Sequence, residues 1–304
     1  MSSRLSFRDL VLVLAVVAVW GFSFVTIRWA LEGGPPFAMA ALRFFFAAVP
    51  AIFFVKRPAV PGPTLVAYGF AIGVFQFGLL FLGIELGMPA GLSSIVIQFQ
   101  VFFTIGLAAW LLGDRVTRHS IVGGCVAAAG IAVLAAHKLA GGATTTFAGF
   151  VVVLAAGLSW AVGNIITKHA AEKAEVDVVG MVVWASLAVP LPLALASFAV
   201  EGGADVLVRI GDMPARAWAS VLFMGYVTTL FGLAAWNALL HRYPTAVIAP
   251  FALLIPVSGL VSGAIFLGES LAPMQFAGAA LVLVGLAWNL YAHRAREWIA
   301  RMVD

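Results

Sequence analysis

The chain has 304 residues, of which 63% are hydrophobic and 10% charged, and its formal net charge is +4 at pH 7. A soluble globular domain carries about 25% charged residues, so this composition excludes a soluble globule and indicates an integral membrane protein. The small positive charge does not indicate a nucleic-acid partner, because the basic residues are explained by their places in the connections between apolar segments.

Ten apolar segments are long enough to cross a bilayer, which takes about 20 residues each. The first lacks an early small-residue cleavage site, so we expect it to stay attached as helix one. The segments are Leu10 to Leu31, Pro36 to Val55, Thr64 to Gly87, Ala90 to Leu112, Ser120 to Ala136, Phe147 to Thr167, Val178 to Val200, Ala217 to Leu240, Thr245 to Leu267 and Pro273 to Ala292. The sequence therefore predicts an all-α membrane protein with ten transmembrane helices.

An internal repeat relates the two halves of the chain. At a constant offset of 155 residues, the matched positions are Pro89 and Pro244, Leu112-Gly113-Asp114 and Leu267-Gly268-Glu269, Gly123 and Gly278, and Gly130 and Gly285. A second register, of 140 residues, relates Trp20 to Trp160. We divide the chain into two five-helix repeats, residues 1–143 and 144–304.

The distribution of Lys and Arg predicts the orientation of the helices. If both termini are cytoplasmic, twelve of these residues lie inside and three outside, as the positive-inside rule requires. Because five is an odd number, the second repeat then enters the membrane upside down relative to the first. Inverted repeats of this kind enclose a central cavity with a site near the midplane, so we expect a transporter.

Motifs stand at the ends of helices four and nine and in the first two helices. They are the Leu-Gly-Asp/Glu endings, the glycines ten and seventeen residues further on, Pro256, the run Trp-Gly-Phe-Ser-Phe from Trp20, and Leu42-Arg43-Phe44. With them the chain resembles, over nearly its whole length, the EamA-type branch of the drug/metabolite transporter superfamily. It is most similar to bacterial inner-membrane exporters of amino acids and other metabolites, such as those of the YddG type, and this resemblance implies a location in the inner membrane. Val101 stands where helix nine has Pro256, so the two halves need not bend alike.

Ionisable residues inside predicted spans are the first candidates for function, because burying a charge in lipid is costly. Arg43 lies about two turns into helix two, and Glu85 lies near the outer end of helix three, so their depths allow an ion pair. Such a pair either holds the fold or acts as a gate. Arg28 lies close enough to the end of helix one for its side chain to reach the interface.

Amides and aromatic residues inside the spans are the candidates for substrate binding. An amide both donates and accepts hydrogen bonds, so it can meet either end of a zwitterion without burying net charge. We favour Gln98 over Gln100, because Gln98 shares a helical face with Phe102 and Ile105. The full set is Trp20, Phe24, Gln76, Gln98, Phe102, Trp160 and Asn164. For each amide the alternative is interhelical bonding, and for the aromatic faces it is plain helix packing.

Bends are expected at Pro250 and Pro256 in helix nine. No His/Cys/Asp/Glu cluster has metal-ligand spacing, so the sequence predicts no metal and no cofactor. Cys125 lies alone in an apolar run and excludes an internal disulfide.

The sequence predicts an exporter of small metabolites that works by alternating access. Amino acids, including bulky or aromatic ones, are the favoured substrates, and nucleobases, sugars or drugs are the alternative. An intramembrane enzyme is disfavoured because no nucleophile with a base is found at membrane depth. A non-transporting scaffold is the remaining class. We expect the chain to contact the lipid bilayer and the small-molecule substrate and to act as a monomer.

Overall fold

The computed structural model describes residues 5–114, 116–139, 147–171, 177–243 and 245–303. The predicted ten helices are confirmed, because ten helices in this part of the chain are long and apolar enough to span a membrane. They are α1 (Phe7–Leu31), α2 (Pro36–Phe53), α3 (Gly62–Glu85), α4 (Ala90–Leu112), α5 (Arg118–Ala136), α6 (Phe147–Ala170), α7 (Val178–Val200), α8 (Ala215–Arg242), α9 (Ala249–Leu267) and α10 (Pro273–Tyr291). Helical winding suits these apolar segments because it satisfies every backbone polar group within the segment.

The connections between the spans are short. A helical turn, Thr245–Ile248, precedes α9, and a further short helix, Asp205–Gly211, lies between α7 and α8. The helix that contains α10 continues to Val303. Both the predicted boundary between residues 143 and 144 and the repeat residue Pro244 lie outside the described residues.

The repeat glycines bring α5 and α10 together as an antiparallel pair. A Cβ added to Gly123 would lie 2.6 Å from the carbonyl oxygen of Gly285, and one added to Gly130 would lie 2.6 Å from that of Gly278. In the repeat, Gly123 corresponds to Gly278 and Gly130 to Gly285. The repeat therefore converts the contact of Gly123 with Gly285 into the contact of Gly278 with Gly130, as a two-fold relation requires. Since the two helices are antiparallel, the axis lies in the membrane plane and the repeats are inverted.

Both repeats contain a π-helical segment in their third helix. In α3 it covers Gly69–Phe77 and in α8 it covers Phe223–Phe231, each nine residues long and each in the middle of its span. A glycine follows each segment, Gly78 in α3 and Gly232 in α8. Runs of π-helix are rare and are frequently found at functional sites. The sequence analysis did not predict them.

The winding of α4 and α9 also changes along their length. In α4 a 3₁₀ segment covers Ile97–Phe99, and in α9 one covers Ala249–Leu253. Pro250 lies inside the second segment, whereas Pro256 lies buried in the α-helical part of α9 that follows. The 3₁₀ segment of α4 contains no proline. The fourth helix of each repeat is therefore interrupted, although only α9 has a proline at the interruption.

One large apolar core extends through both repeats. Its buried residues come from α1 to α8, and include Phe24, Met39, Phe44, Phe81, Val96, Leu134, Val153, Leu193 and Met224. At the centre α1 and α9 approach closely, because a Cβ on Gly21 would lie 2.4 Å from the Ser258 side chain. Met224 of the π-helical segment in α8 belongs to this core, and Val74 and Phe77 of the segment in α3 pack against it, so both segments lie against an interior formed by both repeats.

Candidate functional site

Two residues predicted from the sequence converge on the π-helical segment of α8. The Nε1 of Trp20 donates a hydrogen bond to the carbonyl oxygen of Thr228 at 2.9 Å. The Nη2 of Arg43 donates to the hydroxyl of the next residue, Thr229, at 3.5 Å. The Trp20 ring also lies 5.2 Å from the ring of Trp236 on the same helix, a residue that the repeat did not single out. Side chains of the first repeat are thus anchored on the π-helical segment of the second.

The π-helical segment of α3 receives a similar contact from the second repeat, although Ser159 is the neighbour of Trp160, the repeat counterpart of Trp20. The hydroxyl of Ser159 on α6 donates to the carbonyl oxygen of Ala71 at 2.7 Å. The first helix of each repeat therefore donates a side-chain hydrogen bond to the π-helical segment of the other repeat. Gln76 belongs to this segment and is only 2% exposed, and its Oε1 has no hydrogen-bond partner.

The predicted ion pair between Arg43 and Glu85 is wrong. A carboxylate oxygen of Glu85 lies 3.9 Å from Nη1 of Arg28, and both side chains are about half exposed. Arg43 is 4% exposed, and its guanidinium carbon lies 3.8 Å from the centre of the Phe77 ring. Phe77 precedes Glu85 by eight residues on α3, which is about 12 Å along a helix, so Arg43 and Glu85 lie at different depths. Arg43 faces α3 and α8, whereas Glu85 faces the end of α1.

Asn164 on α6 takes part in a polar cluster with α4. Its Nδ2 donates to the Oε1 of Gln100 at 2.8 Å and to the hydroxyl of Thr104 at 3.0 Å. The Thr104 hydroxyl in turn donates to the carbonyl oxygen of Gln100 at 2.7 Å. The amide of α4 that meets α6 is therefore Gln100, although the sequence analysis favoured Gln98. Gln98 lies partly buried in the 3₁₀ segment of α4.

The remaining predicted residues are divided between the core and the periphery. Phe24 is buried in the main core, and Trp160 is partly buried against it. Phe102 instead packs against a separate cluster that includes Ala279, Val282 and Leu286 of α10. Phe102 thus faces α10, on the other side of α4 from the polar cluster with α6.

The two ends of the helix bundle each contain a cavity. We call the end at which α1 begins the terminal side and the opposite end the far side. The far-side cavity has a volume of about 610 Å³, and its lining includes Arg28, Glu85, Met88, Arg216 and Glu269. The terminal-side cavity has a volume of about 260 Å³ and is lined by Thr104, Ile105, Ala108, Asp114, Val116, Ser120 and Lys168.

The acidic residues of the Leu-Gly-Asp/Glu motifs have different partners. On the far side the two carboxylate oxygens of Glu269 accept hydrogen bonds from the backbone N–H groups of Ala90 (2.7 Å) and Gly91 (2.8 Å), at the start of α4. On the terminal side the carboxylate of Asp114 pairs with the ammonium of Lys168 on α6. The repeat identified both residues, but nothing in the sequence indicated their partners.

Within the part of the chain that the structure describes, no group of three or more His, Cys, Asp or Glu residues is placed to hold a metal ion.

Comparisons with known proteins identify the family. The model of the EamA-like transporter family matches residues 8–136 and 147–291. The chain is 42% identical to a "Probable amino-acid metabolite efflux pump" of Salmonella typhimurium and 41% identical to a protein of the same name from Escherichia coli, in each case over 96% of this chain and 98% of the relative. It is 31% identical to a "Probable terminal-alkyne amino-acid exporter" of Streptantibioticus cattleyicolor, over 90% of each chain.

A solved crystal structure has the same fold. It superposes with a TM-score of 0.61 at 17% identity and covers 92% of this chain and 95% of its own. The resemblance inferred from the motifs is confirmed, and the chain belongs to the EamA-like transporter family as a multi-pass membrane transporter.

Proposed function

We propose that the protein exports amino acids or closely related metabolites from the cytoplasm by alternating access between its two repeats. The observation that carries this proposal is the reciprocal pair of hydrogen bonds, Trp20 to Thr228 and Ser159 to Ala71. Both hydrogen bonds join the two repeats near the middle of the spans, which supports a substrate path between the repeats. Relatives that cover nearly the whole chain carry the names of amino-acid exporters, which supports the substrate class.

The proposed location is the inner membrane, with both termini in the cytoplasm. The Lys and Arg distribution supports this orientation, which makes the terminal side cytoplasmic and the far side external. Reporter fusions at the C-terminus test it, since an external signal would contradict the orientation.

The proposed substrates include amino acids with bulky or aromatic side chains. We expect Trp20 and Trp160 to contribute aromatic surface to the substrate path, and amides such as Gln76, Gln98 and Asn164 to supply polar groups along it. Phe24 and Phe102 complete the proposed set of lining residues, and Pro250 and Pro256 are the proposed positions of bending in α9. Because one chain contains both repeats, we propose that it acts as a monomer.

Efflux from proteoliposomes tests the proposal. Vesicles loaded with a mixture of amino acids, nucleosides and drugs should lose amino acids faster than vesicles without protein. Efflux of nucleosides or drugs alone would contradict the substrate class, and no efflux at all would support a scaffold. Dissipating the proton gradient in the same vesicles tests whether export depends on it.

Three substitutions test the lining residues in the same assay. Trp20→Phe removes the Nε1 donor and retains an aromatic ring, while Trp160→Ala and Gln98→Ala remove proposed lining groups. Trp110→Phe is the matched control, since Trp110 is 79% exposed on the outside of α4. If the three variants export amino acids as fast as this control, the proposal that these residues line the substrate path is contradicted.

A further inference from the structure

Unpartnered buried polar atoms gather around the two π-helical segments. Among the described residues seven buried side-chain polar atoms have no partner, and four of them are Nε and Nη1 of Arg43, Oε1 of Gln76 and the hydroxyl of Thr228. The other three belong to Ser197, Glu201 and Gln275. Gln76 precedes Phe77, and the Arg43 guanidinium lies over the Phe77 ring. Thr228 precedes Thr229, whose hydroxyl accepts a hydrogen bond from Arg43. The large majority of buried polar side-chain atoms have partners, so this concentration requires an explanation.

Arg43 is the most unusual member of the group. Its guanidinium is buried and positively charged, and in the described part of the chain no carboxylate forms an ion pair with it. A cation over an aromatic ring, as Arg43 is over Phe77, is partly compensated. An unpaired charge in a protein interior is nevertheless strongly unfavourable, and its natural complement is an anion.

We propose that Arg43 binds the carboxylate group of the transported amino acid and that Gln76 Oε1 accepts a hydrogen bond from its ammonium group. This inference rests on the proposed function and assigns the charged groups of the substrate to named residues. A guanidinium presents a planar set of donors that matches a carboxylate. An amide oxygen without a donor matches an ammonium, which only donates.

The contact with Thr229 indicates how the carboxylate gains access. At 3.5 Å the bond from Arg43 to the Thr229 hydroxyl is at the long limit for a hydrogen bond, so it is readily replaced. Since Arg43 is closed to both cavities in this conformation, the substrate reaches it when α8 moves away from α2. Thr229→Val is therefore expected to retain binding of the carboxylate.

The test compares an amino acid with its amide, which lacks the negative charge. Binding of L-phenylalanine and of L-phenylalaninamide to the purified protein is measured by equilibrium dialysis, with L-leucine and L-leucinamide as a second pair. Hydrogen bonds to charged groups are strong enough that Arg43→Gln should reduce the preference for the acid over the amide on the order of tenfold to a hundredfold. Arg28→Gln, a substitution of a half-exposed arginine, is the matched control and should leave the preference unchanged.

Arg43→Lys keeps the result interpretable if Arg43→Gln does not fold. Lysine keeps the charge but loses the planar set of donors, so we expect a reduction of several-fold in the preference. A folded Arg43→Gln or Arg43→Lys protein with the wild-type preference would overturn the proposal. If wild-type vesicles export amino acids while the preference is insensitive to Arg43, only this inference fails. If wild-type vesicles export no amino acids, the proposed function fails.

Discussion

Glu269 and Asp114 occupy the same position in the two repeats but bond to different groups. Glu269 accepts from two backbone N–H groups at the start of α4, whereas Asp114, at the other end of the same helix, pairs with the side chain of Lys168. A carboxylate at a helix start gains from charge-assisted hydrogen bonds and from the helix dipole. An ion pair between half-exposed side chains contributes only about 0–1 kcal/mol. The repeats are therefore held together more firmly at the far end of α4.

Burial along α4 follows the same division. Every residue from 90 to 97 is buried, whereas every residue from 98 to 105 is only partly buried. On the far side, Gly91 and Gly263 also leave room for the Glu269 carboxylate, since a Cβ on Gly263 would lie 2.6 Å from Oε2. In the proposed transport cycle, α4 is packed shut at its far-side end in this conformation and is less tightly packed toward its terminal-side end.

The substitution Glu269→Ala should have the largest effect on this asymmetry. It removes two hydrogen bonds to a charged group, each contributing about 1.5–3 kcal/mol, so the far side should open more often. We would measure the reaction of a membrane-impermeant thiol reagent with Met88→Cys in a Cys125→Ser background, because Met88 lines the far-side cavity but is only 2% exposed. The reaction rate should rise roughly tenfold or more.

The control for this measurement is Glu32→Ala. Glu32 is also a far-side carboxylate, but it pairs with the side chain of Arg216. An equal rise in both variants would show that the backbone hydrogen bonds of Glu269 are not special.

Gly91→Ala should weaken the same closure without removing a charge. The new Cβ would lie 2.9 Å from Glu269 Oε2 and 3.2 Å from the Cα of Leu260. Overpacking of this kind typically costs about 1–3 kcal/mol, so Met88→Cys should react several-fold faster. Gly106→Ala on the same helix is the matched control, because its Cβ would meet nothing within 4 Å. If the two variants react alike, close packing at Gly91 does not hold the far side closed.

Lys168→Gln should have the smallest effect. It breaks an ion pair whose side chains are 42% and 45% exposed, so the expected change is below about 1 kcal/mol. The reporter is Ile105→Cys in the Cys125→Ser background, since Ile105 lines the terminal-side cavity. Its reaction rate should change less than about fivefold. A change as large as that caused by Glu269→Ala would remove the difference between the two ends.

The sequence predicted the helices and the repeats because these depend on features that residue type encodes directly. An apolar run of about 20 residues has few alternatives in a bilayer. The matched glycines were informative because the contacts Gly123 with Gly285 and Gly130 with Gly278 leave no room for a side chain.

The details of the site could not be predicted in the same way. Gln98 was favoured on the assumption that α4 turns by about 100° per residue throughout. The 3₁₀ segment Ile97–Phe99 turns by about 120° per residue, which changes the relation between the faces on either side of it. The π-helical segments carry no residue pattern that distinguishes them from ordinary apolar helix, so the convergence of Trp20 and Arg43 on α8 was not visible.

The most direct test of the account follows both ends of the molecule at once. In the Cys125→Ser background, the reaction rates of Met88→Cys and Ile105→Cys are measured in oriented vesicles, with and without an exported amino acid on the terminal side. We predict that Met88→Cys is protected and Ile105→Cys reacts without the amino acid, and that its addition raises the first rate while lowering the second. Rates that do not respond to the amino acid, or that change in the same direction, would contradict alternating access between the two repeats.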